Sequence, residues 1–513
     1  MSNPSQSIII LGAGVFGLST ALHLARRGYK DVLVLDRQPY DQNLYAPDKG
    51  CDGASADINK VFRTTYGDRK IYQDLALRCL SIWGSWTRSL QSSDPALLPP
   101  GLSPTDEILS ESGFMRVGQG KAMSAFHQSC LDGVEADGRR GRVFVLNDEA
   151  DLQRARAADT LADADDEVED MHWSDKLSRF NGLMEGDIHG FLDMDAGFTR
   201  ADKACQWALH LCKQAGVKFI LHPVQGCFDG FIESGCVLNQ RVLGVSTKDG
   251  VEHRADKVIV ACGGWTPSIV PATASLLETT GGSVAYVDLP PERTDLWDKF
   301  GPDQFCTWSF QSSEGTGMGG FGRLPLLHNT GRLKFGYRAK KYTNYEDHPL
   351  TKTRLSVPKT AYSADPITNI PLEALETIKG VIRAVYPELT EIGITGFRMC
   401  WYTDSIDNHF VADYVPGTSE TLFVASGGSG HGFKFLPLLG EHFLNQLEKR
   451  PDEFTPYWKW RSPVPGQGAN GLEEGERGPR VLGRVPMATK EDWKFQMIGA
   501  GRVIGQDAPG NLA

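Results

Sequence analysis

The chain has 513 residues, with 53 Lys and Arg against 64 Asp and Glu and a formal net charge of −11 at pH 7. At ~150 residues per domain this is several domains' worth of chain, which excludes a small stapled scaffold and leaves room for a large core and a buried cofactor. Hydrophobic residues at 41% and charged residues at 23% exclude a disordered or fibrous chain, and the negative average field makes nucleic acid and anionic membrane poor partners.

The first predicted elements form a βαβ unit in SIIILGAGVFGLSTALHLARRGYKDVLVLDR: an apolar strand, a glycine turn, a helix stopped at Gly28, and a second apolar strand. Gly12, Gly14 and Gly17 give G-x-G-x-x-G, Val15 and Phe16 open the helix, and Asp36 closes the second strand just before Arg37. Gly12 permits the tight turn, Gly14 lets a pyrophosphate approach the backbone, Gly17 allows close packing, and Asp36 holds ribose hydroxyls. Two other glycine stretches fail the context test: Gly315–Gly320 lacks both strand and helix and reads as a loop, and Gly499–Gly501 lies too late for such a unit. One dinucleotide site is therefore expected.

Residues 128–187, acidic and Ala/Asp-rich around 155–170, read as a solvated helical or loop insertion. Beyond it, 204–215 has helical spacing and leads into the strand-like VKFIL, with further strands at 242–247 and 258–261. The second of these runs into Gly263-Gly264, and LFVASGGSGHGFKF runs into the helical LPLLGEHFLNQLEK. Backbone N–H groups in the turn Gly427–Gly432 could stabilise charge on the N1/C2=O edge of a reduced flavin, although a plain strand-to-helix turn reads equally well. After Lys449 a Pro/Gly-rich stretch predicts an extended tail, wrapped over the surface or partly disordered. The ten cysteines contain no C-x-x-C pair, which disfavours a metal site and fits reduced thiols. MSNPSQ lacks the basic residues of a secretion signal, no apolar run approaches ~20 residues, and the final NLA is not a peroxisomal address. A soluble, intracellular, cytoplasmic protein is expected.

The motifs SGHGFKF (Ser429 to Phe435), MCWYT (Met399 to Thr403), LKFGY (Leu333 to Tyr337) and INKVFRTTYGD (Ile58 to Asp68), with the N-terminal fingerprint, follow an order and kind that resemble the monomeric sarcosine oxidase and fructosyl amino acid oxidase (amadoriase) family. The resemblance spans most of 7–450; the insertion and the tail match nothing in it. It implies an α/β fold like that of p-hydroxybenzoate hydroxylase: a Rossmann-like FAD-binding domain (1–95, 190–272 and 395–450) interrupted by an α+β substrate domain with an antiparallel sheet (96–189 and 273–394), then a tail at 451–513. It further implies a monomer that oxidises a small amine bearing a carboxylate, with O2 as acceptor.

Residue by residue, the resemblance implies that Cys400 carries FAD covalently through the 8α-methyl group. Gly430, Gly432, Phe433 and Lys434 lie against the cofactor, and Lys334 activates oxygen. Lys434 and Arg63 pair with a substrate carboxylate, and Tyr402 lines the substrate cavity. Lys60 stands where amadoriases have lysine, whereas Arg338 replaces the glutamate that helps hold a fructosyl group, which speaks against deglycation. His431 reads as structural. The expected activity is oxidation of a secondary or N-alkylated amino acid to an imine with release of hydrogen peroxide. The alternative is a secondary-metabolism oxidase whose imine is trapped by a phenol to close an isoquinoline ring.

Overall fold

The computed structural model describes residues 4–162, 172–180, 187–235, 240–311, 323–324, 331–464, 466, 468 and 470–495. The stretches 315–320 and 499–501 and Cys236 lie outside the described residues. Continuous Ile, Val and Leu runs build the first layer, because a strand covered on both faces must be apolar on both. Its six strands stand in the order Val411–Tyr414, Leu422–Ser426, Lys257–Val260, Ile8–Leu11, Val32–Asp36 and Lys218–Leu221. All pairings are parallel except that of Val411–Tyr414 at the edge. The three strands that run into glycine turns, ending at Leu11, Val260 and Ser426, are thus neighbours despite their separation in sequence. Being parallel, they deliver all three turns to one edge of the sheet, where ligands of open α/β sheets bind.

Helix Val15–Arg26 packs against Leu439–Leu447. Contact is close enough that a Cβ on Gly440 would fall 2.1 Å from the Ser19 carbonyl oxygen, and Ser19 Oγ donates to Leu436 O while accepting from Gly440 N, each at 2.7 Å. The helix expected from Leu436 onward begins at Leu439, after a 3-10 turn over Phe433–Phe435. The expected helix at 204–215 runs over Ala201–Gln214.

The second layer is an eight-stranded sheet in the order Gly396–Ser405, Leu277–Asp288, Arg332–Tyr342, Arg323–Leu324, Thr307–Gln311, Phe114–Gln119, Ile188–Asp193 and Val143–Val145. Its pairings are antiparallel except that between Thr307–Gln311 and Phe114–Gln119. Two expected divisions move as a result. Gly396–Ser405 and Ile188–Asp193, placed wholly or partly with the dinucleotide layer from sequence, pair in this sheet instead. An apolar strand carries no mark of which sheet it joins, and long-range pairing decides.

The insertion is also not simply solvated. Val143–Val145 pairs with Ile188–Asp193, and Ala155, Trp173, Leu177 and Phe180 are buried in one cluster with Met115 and Trp308. Sparse apolar residues in an acidic stretch were enough to dock it. The tail runs over the large sheet's side of the molecule through backbone bonds from Thr343 N to Arg480 O and Leu482 N to Thr343 O, both 2.9 Å, and from Ala488 N to Ile370 O at 3.0 Å. Among the described residues no helix is long and apolar enough to cross a membrane.

Candidate active site

The glycine edge of the first sheet and the strands around Cys400 enclose a cavity of ≈520 Å³. Gly12 takes a φ of +101°, and a Cβ there would meet Ala261 O at 2.5 Å; one on Gly17 would meet Gly12 O at 1.8 Å. These two positions let the helix start against the turn, as the fingerprint requires. Gly14, Val15 and Phe16 line the cavity, while Gly17 packs behind it. Val15 N–H, at the helix start, donates to Ser55 Oγ at 2.9 Å. Asp36 accepts from Ala13 N at 2.7 Å and Gln38 N at 2.8 Å, which leaves lone-pair capacity on both oxygens for a ribose. Burial pushes its pKa up, partly opposed by those two bonds. Arg37, beside it, pairs with Asp52 at 2.8 Å and lies over Trp265.

The turn after Leu422–Ser426 is shaped by left-handed residues at Gly427, Ser429 and Gly430. Ser429 keeps this conformation because its N–H donates to Thr403 O at 2.8 Å and its Oγ accepts from Ser405 N at 3.1 Å. The Phe16 ring fills the space against Gly432, where a Cβ would sit 2.7 Å from its Cε1. The first and third glycine turns thus pack on one another through a single aromatic ring.

Beyond the turns, Lys434 is buried, with Nζ donating to Tyr66 Oη at 3.0 Å and His431 O at 3.1 Å. Arg63 lies over the Tyr66 ring at 4.6 Å. Burial, and then repulsion from Arg63 and Arg116, pushes Lys434 well below the ordinary lysine range. Among the described residues neither Lys434 nor Arg63 has a carboxylate partner. His431 lines the cavity, yet its ring nitrogens meet Tyr66 Oη at 3.3 Å and Asn408 O at 3.0 Å, and burial keeps it neutral.

At the other wall, Cys400 is buried with Sγ 3.8 Å from Lys60 Nζ. Lys60 and Lys334 both donate to Asp57 Oδ2 at 2.6 Å, and Arg398 Nη1 lies 3.8 Å from the same oxygen. Arg338 stacks on Tyr402 at 4.4 Å and sits 3.6 Å from the fully buried Asp404. That acid is shared with Lys341 at 3.2 Å. Arg338 Nε and Tyr402 Oη are buried without a hydrogen-bond partner among the described residues.

Apart from Gly17, the expected cofactor and substrate residues therefore share one cavity. Reading the sequence missed Asp57, Tyr66, Arg398 and Asp404. Tyr66 stood inside a quoted motif, and Asp57 one place before it with a lysine three residues on; nothing local marked Arg398 or Asp404. Seven basic side chains and three acidic ones line the cavity, a balance suited to a pyrophosphate together with a second anion. The glycine cradle, Asp36 and the orphaned polar atoms fit a dinucleotide.

Comparison with known proteins agrees. L-saccharopine oxidase of Schizosaccharomyces pombe is 25% identical over 467 residues, covering 89% of this chain and 93% of that protein. The amino acid oxidase imqH of Aspergillus flavus is 24% identical over 489 residues, covering 86% and 92%. A modified fructosyl peptide oxidase from Aspergillus nidulans superposes with a TM-score of 0.70 at 23% identity, covering 94% of this chain and 99% of that one. The resemblance to the sarcosine oxidase and amadoriase group thus holds in sequence and in fold. The family described as FAD dependent oxidoreductase, DAO, matches residues 7–446, and the chain belongs to it.

Proposed function

We propose that this FAD-dependent enzyme oxidises a secondary or N-alkylated amino acid, giving an imine and hydrogen peroxide with O2 as acceptor, and that Cys400 holds the FAD covalently. The observation that carries the reading is the pair Arg63 and Lys434, two basic side chains at one cavity with no carboxylate partner among the described residues. A desolvated charge without a counter-ion is costly, so this end of the cavity suits a ligand that brings a carboxylate. Held there, the amine is aimed at the Cys400 side of the cavity, which converts binding into orientation. Bound FAD supplies the two-electron acceptor and the route of electrons to O2. Lys334 places a fixed positive charge where oxygen gains its first electron. Lys60 sets a cation beside the sulfur that must act as nucleophile in flavin attachment.

Arg338 offers donors only. A sugar that relies on a carboxylate acceptor finds none at this position, and a fructosyl amino acid is not the proposed substrate. The saccharopine and amino acid oxidases among the relatives support an amino acid; the fructosyl peptide oxidase contributes the fold. The test is a peroxide-coupled screen of N-methyl, cyclic, phenolic and glycated amino acids, each with its decarboxylated analogue. Turnover is expected only with the carboxylate present, and equal turnover of a decarboxylated analogue or brisk turnover of fructosyl-valine would overturn the reading. In acid denaturation the yellow colour stays with wild-type protein and is released from Cys400→Ser; release from both would remove the covalent link.

A further inference from the structure

Setting two ammonium groups side by side, one of them buried, needs an anion between them, and one is present. Asp57 is fully buried, and a single oxygen, Oδ2, receives Lys60 Nζ and Lys334 Nζ at 2.6 Å each. The two ammonium nitrogens therefore lie no farther apart than twice that distance. The other oxygen accepts Ile58 N–H at 2.9 Å, so the carboxylate is fixed by its own backbone. Arg398, anchored to Gly53 O at 2.8 Å and to Ala56 O, approaches Oδ2 from the strand Gly396–Ser405. Three cations thus surround one anion, and the cluster keeps an excess of positive charge at the Cys400 wall.

We infer that Asp57 is a positioning residue that keeps Lys334 charged and holds it, with Lys60, at the Cys400 end of the cavity. The inference rests on the proposed function, in which Lys334 serves the oxygen half-reaction. The groups facing Lys334 are Asp57 and Lys60 from the 57–60 segment, Arg398 and Cys400 from Gly396–Ser405, and the Tyr286 phenol from Leu277–Asp288, its register partner. Tyr286 is neutral, since burial raises its pKa. For Lys334, burial is the largest influence and lowers its pKa; Asp57 opposes it, Lys60 adds to it, and the result is about 8. Asp57 itself is held ionised: burial would raise its pKa, but Lys334, Lys60 and Arg398 together bring it below the ordinary carboxylate range. Removing Asp57 therefore favours neutral Lys334, whereas removing Lys60 favours charged Lys334. Opposite signs from two adjacent residues are not expected of a merely structural role.

The experiment follows the 13Cε signals of lysine-labelled holoenzyme against pH, with Lys334 assigned by its disappearance in Lys334→Met. The wild-type midpoint is expected near 8. In Asp57→Asn it falls by about one pH unit or more, in Lys60→Met it rises, and in Asp57→Glu it returns toward wild type. Stopped-flow rates of the oxygen half-reaction, measured over the same pH range, are expected to lose their high-pH limb in step with each midpoint. An unchanged Lys334 midpoint in Asp57→Asn overturns the inference. If Asp57→Asn does not fold, a Lys60→Met midpoint that stays put or falls overturns it as well. Midpoints that move as stated while Lys334→Met leaves the oxygen rate untouched uphold the role of Asp57 and remove the oxygen role from Lys334.

Discussion

Lys434 is a buried amine whose charged neighbours include Arg63, Arg116 and Arg338, all cations that with burial favour its neutral form. A carboxylate docking beside it supplies the missing anion and restores the protonated form. At any pH between its depressed value and the ordinary lysine range, binding must therefore draw a proton from solution. Calorimetry of a carboxylate ligand in buffers of different ionisation heat is expected to show this uptake. Lys434→Met should abolish it and weaken affinity tens- to thousands-fold, the ~2–5 kcal/mol typical of a lost desolvated charge contact. Lys334→Met is expected to slow the oxygen half-reaction far more than the amine half-reaction, because its charge matters when O2 gains an electron; stopped-flow measurement of both checks the ratio. That Cys400, Lys334, Arg63 and Lys434, which family motifs mark, share one cavity was legible in the sequence. Asp57 was not: what gives it a role is an ammonium 277 residues away, and no local spacing reports such a partner.

The glycine turns act as elements more than as residues. Gly17→Ala would put a methyl group 1.8 Å from Gly12 O, so the first helix must move off the turn that faces the cavity. The expected cost is about 1–3 kcal/mol of stability, as for an overpacked core, together with loss of most bound flavin, read as absorbance per protein after purification. Gly380→Ala, inside the helix Leu372–Val385 and with nothing within 4 Å of a Cβ, is the control for a helical glycine with room for a methyl group. The first βαβ unit was legible because its apolar runs and turn agree at every level. The sheet joined by Gly396–Ser405 was not, because the strand's residues state that it is buried without stating beside what. The docked insertion escaped for a similar reason: four apolar side chains among many acids carry the packing, while average composition describes its solvated face.

At the scale of the whole molecule, the tail closes over the eight-stranded sheet through Arg480, whose Nη2 reaches Glu278 at 3.0 Å with both side chains buried. Arg480→Met leaves a buried carboxylate unpaired, an expected loss of about 3–5 kcal/mol, seen as a lower Tm. Adding Glu278→Gln should recover part of it. The tail's path was legible only as an extended, Pro/Gly-rich stretch, since its anchors are single side chains spread over the sheet. A different consequence attaches to the strand order of the first sheet. Ile8–Leu11 lies directly beside Lys257–Val260, which in turn pairs with Leu422–Ser426. On a ribosome working at ~5–20 residues per second, the first strand waits roughly 20–80 s before Leu422–Ser426 has been made. This is an architecture of high contact order, in which the nascent dinucleotide cradle gains its second wall only about halfway through translation and lacks its third until Leu422–Ser426 is made. The nucleotide therefore binds as one of the last acts of folding. Its affinity adds to the stability of the finished chain alone, and a fragment ending before Leu422 gains nothing from it.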